Sequence, residues 1–271
     1  MARKPEHFDI AGDLLAGPGG DGRWNNLGYW KSAQDYTGAC RALAEIHGVA
    51  AGLTASHRLL ELACGYGAAL DVWGDCFDVS QMSVLDYRPD CTRHIRSLGH
   101  LTADSVRTGS FDEPLDALFP GSFFDAVICV DAAYHARSLA AFTAAVEPVL
   151  AEQGVLVFST LTLVNAGSTG WFGNALLNGA GISPASLMTE SDLRQTVAAQ
   201  GLVVTAVEDI SDAVFAGFAD WVARRSRAIN WREKYSPAWL KIAITAHWCH
   251  RLSAGKSMRY VLVSVCRPQS G

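Results

Sequence analysis

Between Leu59 and Leu70 the chain reads LLELACGYGAAL, an acid followed by two small residues and then two glycines spaced by a tyrosine. Gly65 and Gly67 allow a sharp backbone turn and let a ligand approach with no Cβ in the way. The usual guest of such a turn is a pyrophosphate seated on the N-terminus of the next helix. Glu61 argues against that guest, because an acid at the end of a strand repels phosphate and suits a neighbouring positive charge such as an amino group. A second acid, Asp86, closes the apolar run MSVLDY 21 residues after Gly65. A carboxylate at that place can accept two hydrogen bonds from a ribose diol. A third group, His135 in DAAYH, follows the apolar run FDAVICVDA. A histidine with an ordinary pKa near ~6.5 suits the removal of a proton at neutral pH.

The elements that must hold these groups read as strands and helices in alternation. RLLELA is a short apolar run of the kind a buried parallel strand shows. AALDVWGDCF then reads as a helix, although Gly74 weakens it, and MSVLDY as a strand. PDCTRHIRSLG is a helix with Pro89 in its first turn and Gly99 at its end. A short strand is expected around residues 105–108, a strong one at 124–132, a helix over LAAFTAAVEPVLA and a strand at 154–163. Upstream, residues 32–52 read as a helix with Ser32 as its cap and Gly52 near its end. Downstream, Thr189 and Asp192 resemble a capping box that opens a helix. LVVTAVEDI and SMRYVLVSVCRP read as the last strands, with Trp-, Arg- and Ala-rich helices between them. Alternation of this kind implies right-handed crossovers and a mainly parallel sheet covered on both faces.

A ribose, an adenine, an ammonium and a sulfonium together describe S-adenosylmethionine (SAM), and here the sequence resembles the class I SAM-dependent methyltransferases. ELACGYG resembles their first motif, DYRPD (86–90) their second strand end, GSFFDAVICVDAAYH (121–135) their fourth-strand block, and VEPVLAEQGVLVFST their fifth strand with the helix before it. NNLGYW and GKSMRYVLVSVCRP are similar to the subgroup that methylates small natural products. The resemblance runs from about Trp24 to Pro268. It implies an α/β, Rossmann-like, doubly wound sheet of seven mainly parallel strands, helices on both faces and a helical lid or insertion. Residues 1–57 would be a lid segment over the cofactor; residues 58–271 would be the SAM-binding domain, with the insertion at about 211–252. It further implies SAM as cofactor, S-adenosylhomocysteine as product, and a cofactor site of Tyr29, Trp30, Glu61, Ala63, Gly65, Gly67, Asp86, Tyr87, Ser110, Phe111 and Asp131. Two departures are visible: Ala63 replaces a common glycine, and the third strand ends Gly109-Ser110-Phe111-Asp112 where the family has Gly-Asp. Ser110 or Asp112 can take the place of that acid, with Ser110 preferred and Phe111 beside the adenine.

In this setting His135 is the candidate general base for an oxygen acceptor. Relatives that pair such a histidine with an acid after the fifth strand differ from this chain, which has Ser159, Thr160 and Thr162 there. Trp171, Phe172, Trp221, Trp231, Trp239, His247 and Trp248 are weaker candidates for an acceptor pocket, since aromatics at helical spacing usually belong to a core. The expected reaction is methylation of a small molecule on oxygen, with nitrogen or carbon as alternatives. A dinucleotide oxidoreductase fits worse, because Leu70 holds the place of the third glycine. A non-catalytic SAM-binding domain is the remaining competitor.

Composition narrows the rest. With 271 residues, a net charge of −5 and no basic run, neither a nucleic-acid nor an anionic-membrane footprint stands out. No apolar run is long enough to span a bilayer, and the N-terminus does not read as a secretion signal. Seven scattered cysteines without a CxxC pair fit a reducing cytoplasm. HWCH (247–250) hints at metal ligands but lacks matching ligands elsewhere, so no metal is expected. A small-molecule acceptor is the expected partner, and a homo-oligomer is left open.

Overall fold

The computed structural model describes residues 10–166, 177, 181–182 and 186–268. Trp171 and Phe172 lie outside these described residues. Eight strands form one sheet: β1 Arg58–Leu62, β2 Gln81–Asp86, β3 Val106–Thr108, β4 Phe124–Cys129, β5 Leu150–Leu163, β6 Met188–Thr189, β7 Val203–Asp209 and β8 Met258–Cys266. Their order is β3-β2-β1-β4-β5-β8-β7, with β6 beside β5 off this path. The first five strands are mutually parallel, and β8 runs antiparallel to both β5 and β7. The count is one above the expected seven. β5 is 14 residues long, and its last two, Thr162 and Leu163, pair with Met188 and Thr189.

The central strands β1 and β4 are buried on both faces, as their continuous apolar runs require. Alternate residues divide between two cores. Leu59, Ala126 and Ile128 join one cluster, while Leu60, Leu62, Val127 and Cys129 join the other. The first cluster is covered by α1 (Gly12–Ala16), α2 (Tyr36–Ala50), α3 (Ala68–Phe77) and the helices inserted before β8. α4 (Pro89–Leu98) has Pro89 in its first turn and a left-handed Gly99 at its end, at φ 73°. The second cluster takes α5 (Leu115–Leu118), α6 (Leu139–Val146) and α7 (Glu190–Ala198). The capping box at the start of α7 is formed, with Thr189 and Asp192 bonding reciprocally.

The first long helix is shorter than its apolar pattern suggests. It starts at Tyr36 because the Asp35 carboxylate accepts from the Gly38 N–H, so Asp35 and not Ser32 is the cap. The segment before it is part of the same core, since Trp24, Leu27, Tyr36 and Leu43 pack with Leu59 and Trp73. Between β7 and β8 the chain forms a π-helical turn, Asp212–Ala216, then α8 (Gly217–Ala228), α9 (Trp231–Lys234) and α10 (Pro237–Gly255). Trp30 stacks on Trp221 with centroids 5.5 Å apart, and its backbone N–H donates to the Ala213 carbonyl at 2.8 Å. The N-terminal segment and the insertion are therefore sewn to each other.

Candidate functional site

In an open parallel sheet, ligands sit at the carboxyl ends of the strands where strand order reverses. Here that point lies between β1, which is followed outward by β2 and β3, and β4, which begins the other direction. A cleft of about 1150 Å³ opens there. Glu61, Ala63, Asp86, Tyr87, Ser110, Phe111, Asp131 and His135 all line it.

The glycine turn is built as its sequence requires. Gly65 and Gly67 have φ of 57° and 75°, a region that L side chains rarely adopt. A Cβ on Gly67 would sit 3.0 Å from Ile95, so the turn also packs closely. The Gly65 N–H donates to Asp86 Oδ2 at 2.8 Å, which ties the turn to the end of β2. The other Asp86 oxygen accepts from the Arg88 backbone N–H at 2.9 Å and from its Nε at 3.1 Å. Arg88 in turn lies over the rings of Tyr66 and Tyr87.

Glu61 is buried and accepts from the Trp73 indole N–H at 2.8 Å. Burial raises its pKa to about 8, the Trp73 hydrogen bond lowers it, and the Asp86 charge adds to the rise. A buried carboxyl held in this state gains from a cationic neighbour.

Asp131 follows β4 at φ 53°, a strained conformation for a residue with a side chain. Its Oδ1 accepts from both the Tyr134 and Tyr260 hydroxyls at 2.5 Å, and its Oδ2 accepts from the Leu27 N–H at 2.7 Å. Its own N–H donates to Ser159 Oγ at 2.8 Å. Burial raises its pKa to about 6, and the two tyrosines and Leu27 hold it down. The carboxylate thus joins the end of β4, the start of β8 and the N-terminal segment. Sequence reasoning assigned Asp131 a cofactor role and missed both tyrosines: Tyr134 is only three residues away, but Tyr260 is 129 positions away and meets Asp131 only through the antiparallel return of β8.

His135 approaches the Gly181 carbonyl through Nδ1 at 3.3 Å, which favours the tautomer with the proton on Nδ1 and the lone pair on Nε2. Burial pushes its pKa down to about 4; the Gly181 contact opposes this and the nearby Lys241 cation adds to it. Its ring packs on Tyr134 with centroids 4.5 Å apart.

Four of the expected cofactor residues, Tyr29, Trp30, Gly65 and Gly67, are not among those that line the cleft. Tyr29 and Trp30 are drawn away from it: the Tyr29 N–H donates to the Ala39 carbonyl, and the Trp30 indole donates to the Leu27 carbonyl. Trp24, Asn25, Asn26 and Leu27 line the cleft in their stead. Gly65 and Gly67 shape the turn from behind the lining residues Cys64 and Ala68. At the third strand both alternatives are present. Ser110 and Asp112 each line the cleft, the Asp112 N–H donates to Ser110 Oγ, and the Asp112 carboxylate accepts from the Arg137 N–H. Of the tryptophan candidates among the described residues only Trp248 lines the cleft. Trp239 is buried in the core, Trp221 stacks on Trp30, and Trp231 and His247 are exposed. In HWCH, Cys249 is buried while both histidines are exposed, so the three do not face one centre.

A family model described as a methyltransferase domain matches residues 29–207. The chain belongs to the methyltransferase-domain family. Its cofactor is SAM, as in this family. No curated protein matches the sequence. Solved structures share the fold. The [4+2]-cyclase SpnF is 17% identical with a TM-score of 0.68, covering 96% of this chain and 92% of its own. The mycolic acid cyclopropane synthase CmaA1, in complex with S-adenosylhomocysteine and CTAB, is 15% identical with a TM-score of 0.70, covering 93% and 92%. Geranyl diphosphate C-methyltransferase from Streptomyces coelicolor A3(2), in complex with Mg2+, geranyl diphosphate and S-adenosylhomocysteine, is 14% identical with a TM-score of 0.63, covering 85% and 81%. The residues of this methyltransferase fit the group: two acids at adjacent strand ends, a buried carboxyl in need of a cation, and a glycine turn between them. Among the described residues no helix is long and apolar enough to cross a membrane.

Proposed function

We propose that this methyltransferase acts on an oxygen of a small natural-product-like molecule, with His135 as the general base. The observation that carries this reading is the position of His135. It lines the same cleft as Glu61 and Asp86, with the tautomer that leaves a lone pair on Nε2. SAM supplies an electrophilic methyl group on a good leaving group, so the protein contributes mainly alignment, exclusion of water and one proton transfer. Glu61 would balance the positive charge, and Asp86 would accept from the ribose in place of one of its bonds to Arg88. Ser110 and Phe111 would hold the adenine, with Tyr87 beside them on the cleft wall. Asp131 holds the N-terminal segment through the Leu27 N–H, so Asn25 to Leu27 would close over the cofactor as a lid. His135 receives the acceptor proton at Nε2. Its lowered pKa keeps it neutral, and so able to accept, throughout the neutral range. The seven free thiols support a reducing, cytoplasmic setting.

The test is His135→Ala and His135→Gln, assayed by methyl transfer to candidate phenols and alcohols and by calorimetric binding of S-adenosylhomocysteine. Turnover falling by about 100-fold or more, the usual scale of a general base, with binding kept, supports the role. Unchanged turnover removes it. Carbon methylation is the second reading, favoured by the apolar wall of Leu161, Ile182, Phe215, Leu240, Ile244 and Trp248. A pH-independent rate with His135→Gln at full activity would select it.

A further inference from the structure

The chain as a whole is acidic, but its charge is unevenly placed. Residues 217–256 hold eight Lys or Arg against two Asp or Glu, a formal +6 within a total of −5, which leaves −11 on the remainder. Arg224, Arg227, Arg232, Lys234, Arg251 and Lys256 are all exposed. None of these six takes part in an ion pair among the described residues. Helical spacing hides the pattern from a search for basic runs.

The same stretch carries exposed apolar groups. Trp231, Tyr235, Leu240 and Ile244 are 69%, 82%, 60% and 49% exposed, and they fall within 14 residues. Single exposed apolar residues are normal, but exposed aromatic and aliphatic groups interspersed with cations along one stretch have the composition of an interfacial surface. Arg232 lies over the Trp231 ring at 5.4 Å, an arrangement that keeps an aromatic and a cation at one depth. Leu240 and Ile244 are both exposed and part of the cleft lining, along with Pro237, Lys241 and Trp248 on the same stripe of α10. The exposed apolar patch is therefore continuous with the mouth of the cleft.

We propose that the face formed by α9 and α10 docks on an anionic lipid surface, with the mouth of the cleft turned towards it, and that the acceptor is an apolar molecule taken up from that surface. Tryptophan and tyrosine settle at headgroup level, and each basic residue near an anionic surface strengthens the attraction. The acidic remainder of the molecule is repelled by the same surface, which fixes the orientation. The acceptor half of this statement rests on the reading of the cleft given above, whereas the docking half does not.

The full chain is sedimented with phosphatidylcholine vesicles and with vesicles containing about 30% phosphatidylglycerol. Binding to the anionic vesicles only, weakened by high salt, is expected. The Trp231→Ala/Tyr235→Ala double variant, altered at exposed sites outside the cleft lining, should bind them about tenfold less while still binding S-adenosylhomocysteine. No preference for anionic vesicles, or equal binding by the double variant, overturns the docking. So does a dimer in solution that the double variant abolishes, or tighter binding of duplex DNA or RNA than of vesicles. Vesicle binding without methyl transfer to any lipid-soluble acceptor would instead refute the reading of the cleft and leave the docking intact.

Discussion

Glu61 makes a quantitative prediction about ligand binding. A carboxyl with a pKa of about 8 is protonated in roughly 90% of molecules at pH 7. A ligand whose ammonium lies against Glu61 favours the ionised form, so binding should expel about 0.9 proton. The α-amino group of the ligand, with a pKa near ~7.8, recovers only about 0.1 of this on becoming fully charged. The net release of about 0.8 proton is measured by calorimetric titration with S-adenosylhomocysteine at pH 7 in phosphate and in Tris, whose ionisation enthalpies differ. Glu61→Gln keeps the shape and an acceptor for Trp73 but cannot ionise. It should abolish the release and weaken binding by roughly 10- to 100-fold, the worth of a charge-assisted hydrogen bond. The reasoning is refuted by zero release from the unaltered protein, or by equal release from the glutamine variant.

Three other perturbations test the frame around the site. Trp73→Phe leaves the buried Glu61 carboxyl without its indole donor and should lower stability by about 1–3 kcal/mol in urea unfolding, while raising the Glu61 pKa further. Gly217→Ala would place a Cβ 2.1 Å from the Trp30 Cβ, so the insertion and the N-terminal segment must part; a loss of about 1–3 kcal/mol and altered tryptophan fluorescence are expected. His47 is buried and neutral with a pKa of about 4, depressed by burial although the Leu43 carbonyl opposes it. Because its folded pKa lies below the unfolded one, its effect on stability is nil above pH 6.5. Below that the unfolded chain protonates first, and up to about 3 kcal/mol is lost by pH 4. His47→Leu should accordingly raise Tm more at pH 5 than at pH 8.

The end of the cleft at β1 and β2 was legible in the residues. Glu61, Gly65, Gly67 and Asp86 are close to one another along two short βα units, and local spacing is enough to place them at adjacent strand ends. Strand positions were legible for the same reason: buried parallel strands are short apolar runs between turn residues, and RLLELA and FDAVICVDA have no other good use. The end of the first long helix shows the limit of this reasoning. Ser32 and Asp35 are both good caps, and only the formed bond to Gly38 distinguishes them.

What the sequence by itself determined is the alternating α/β order, the glycine turn and its two acids, because each depends on the chain within about 30 residues. The tertiary structure decided the rest. It brought Tyr260 from the last strand onto Asp131, and it replaced Tyr29 and Trp30 with Asn25 to Leu27 at the cleft. It also set one stripe of α10 against the cleft mouth while leaving Trp231 in solvent. These outcomes depend on which strand returns antiparallel and on which helix face finds a partner. Such choices are settled by long-range packing, which no local pattern of residue types records.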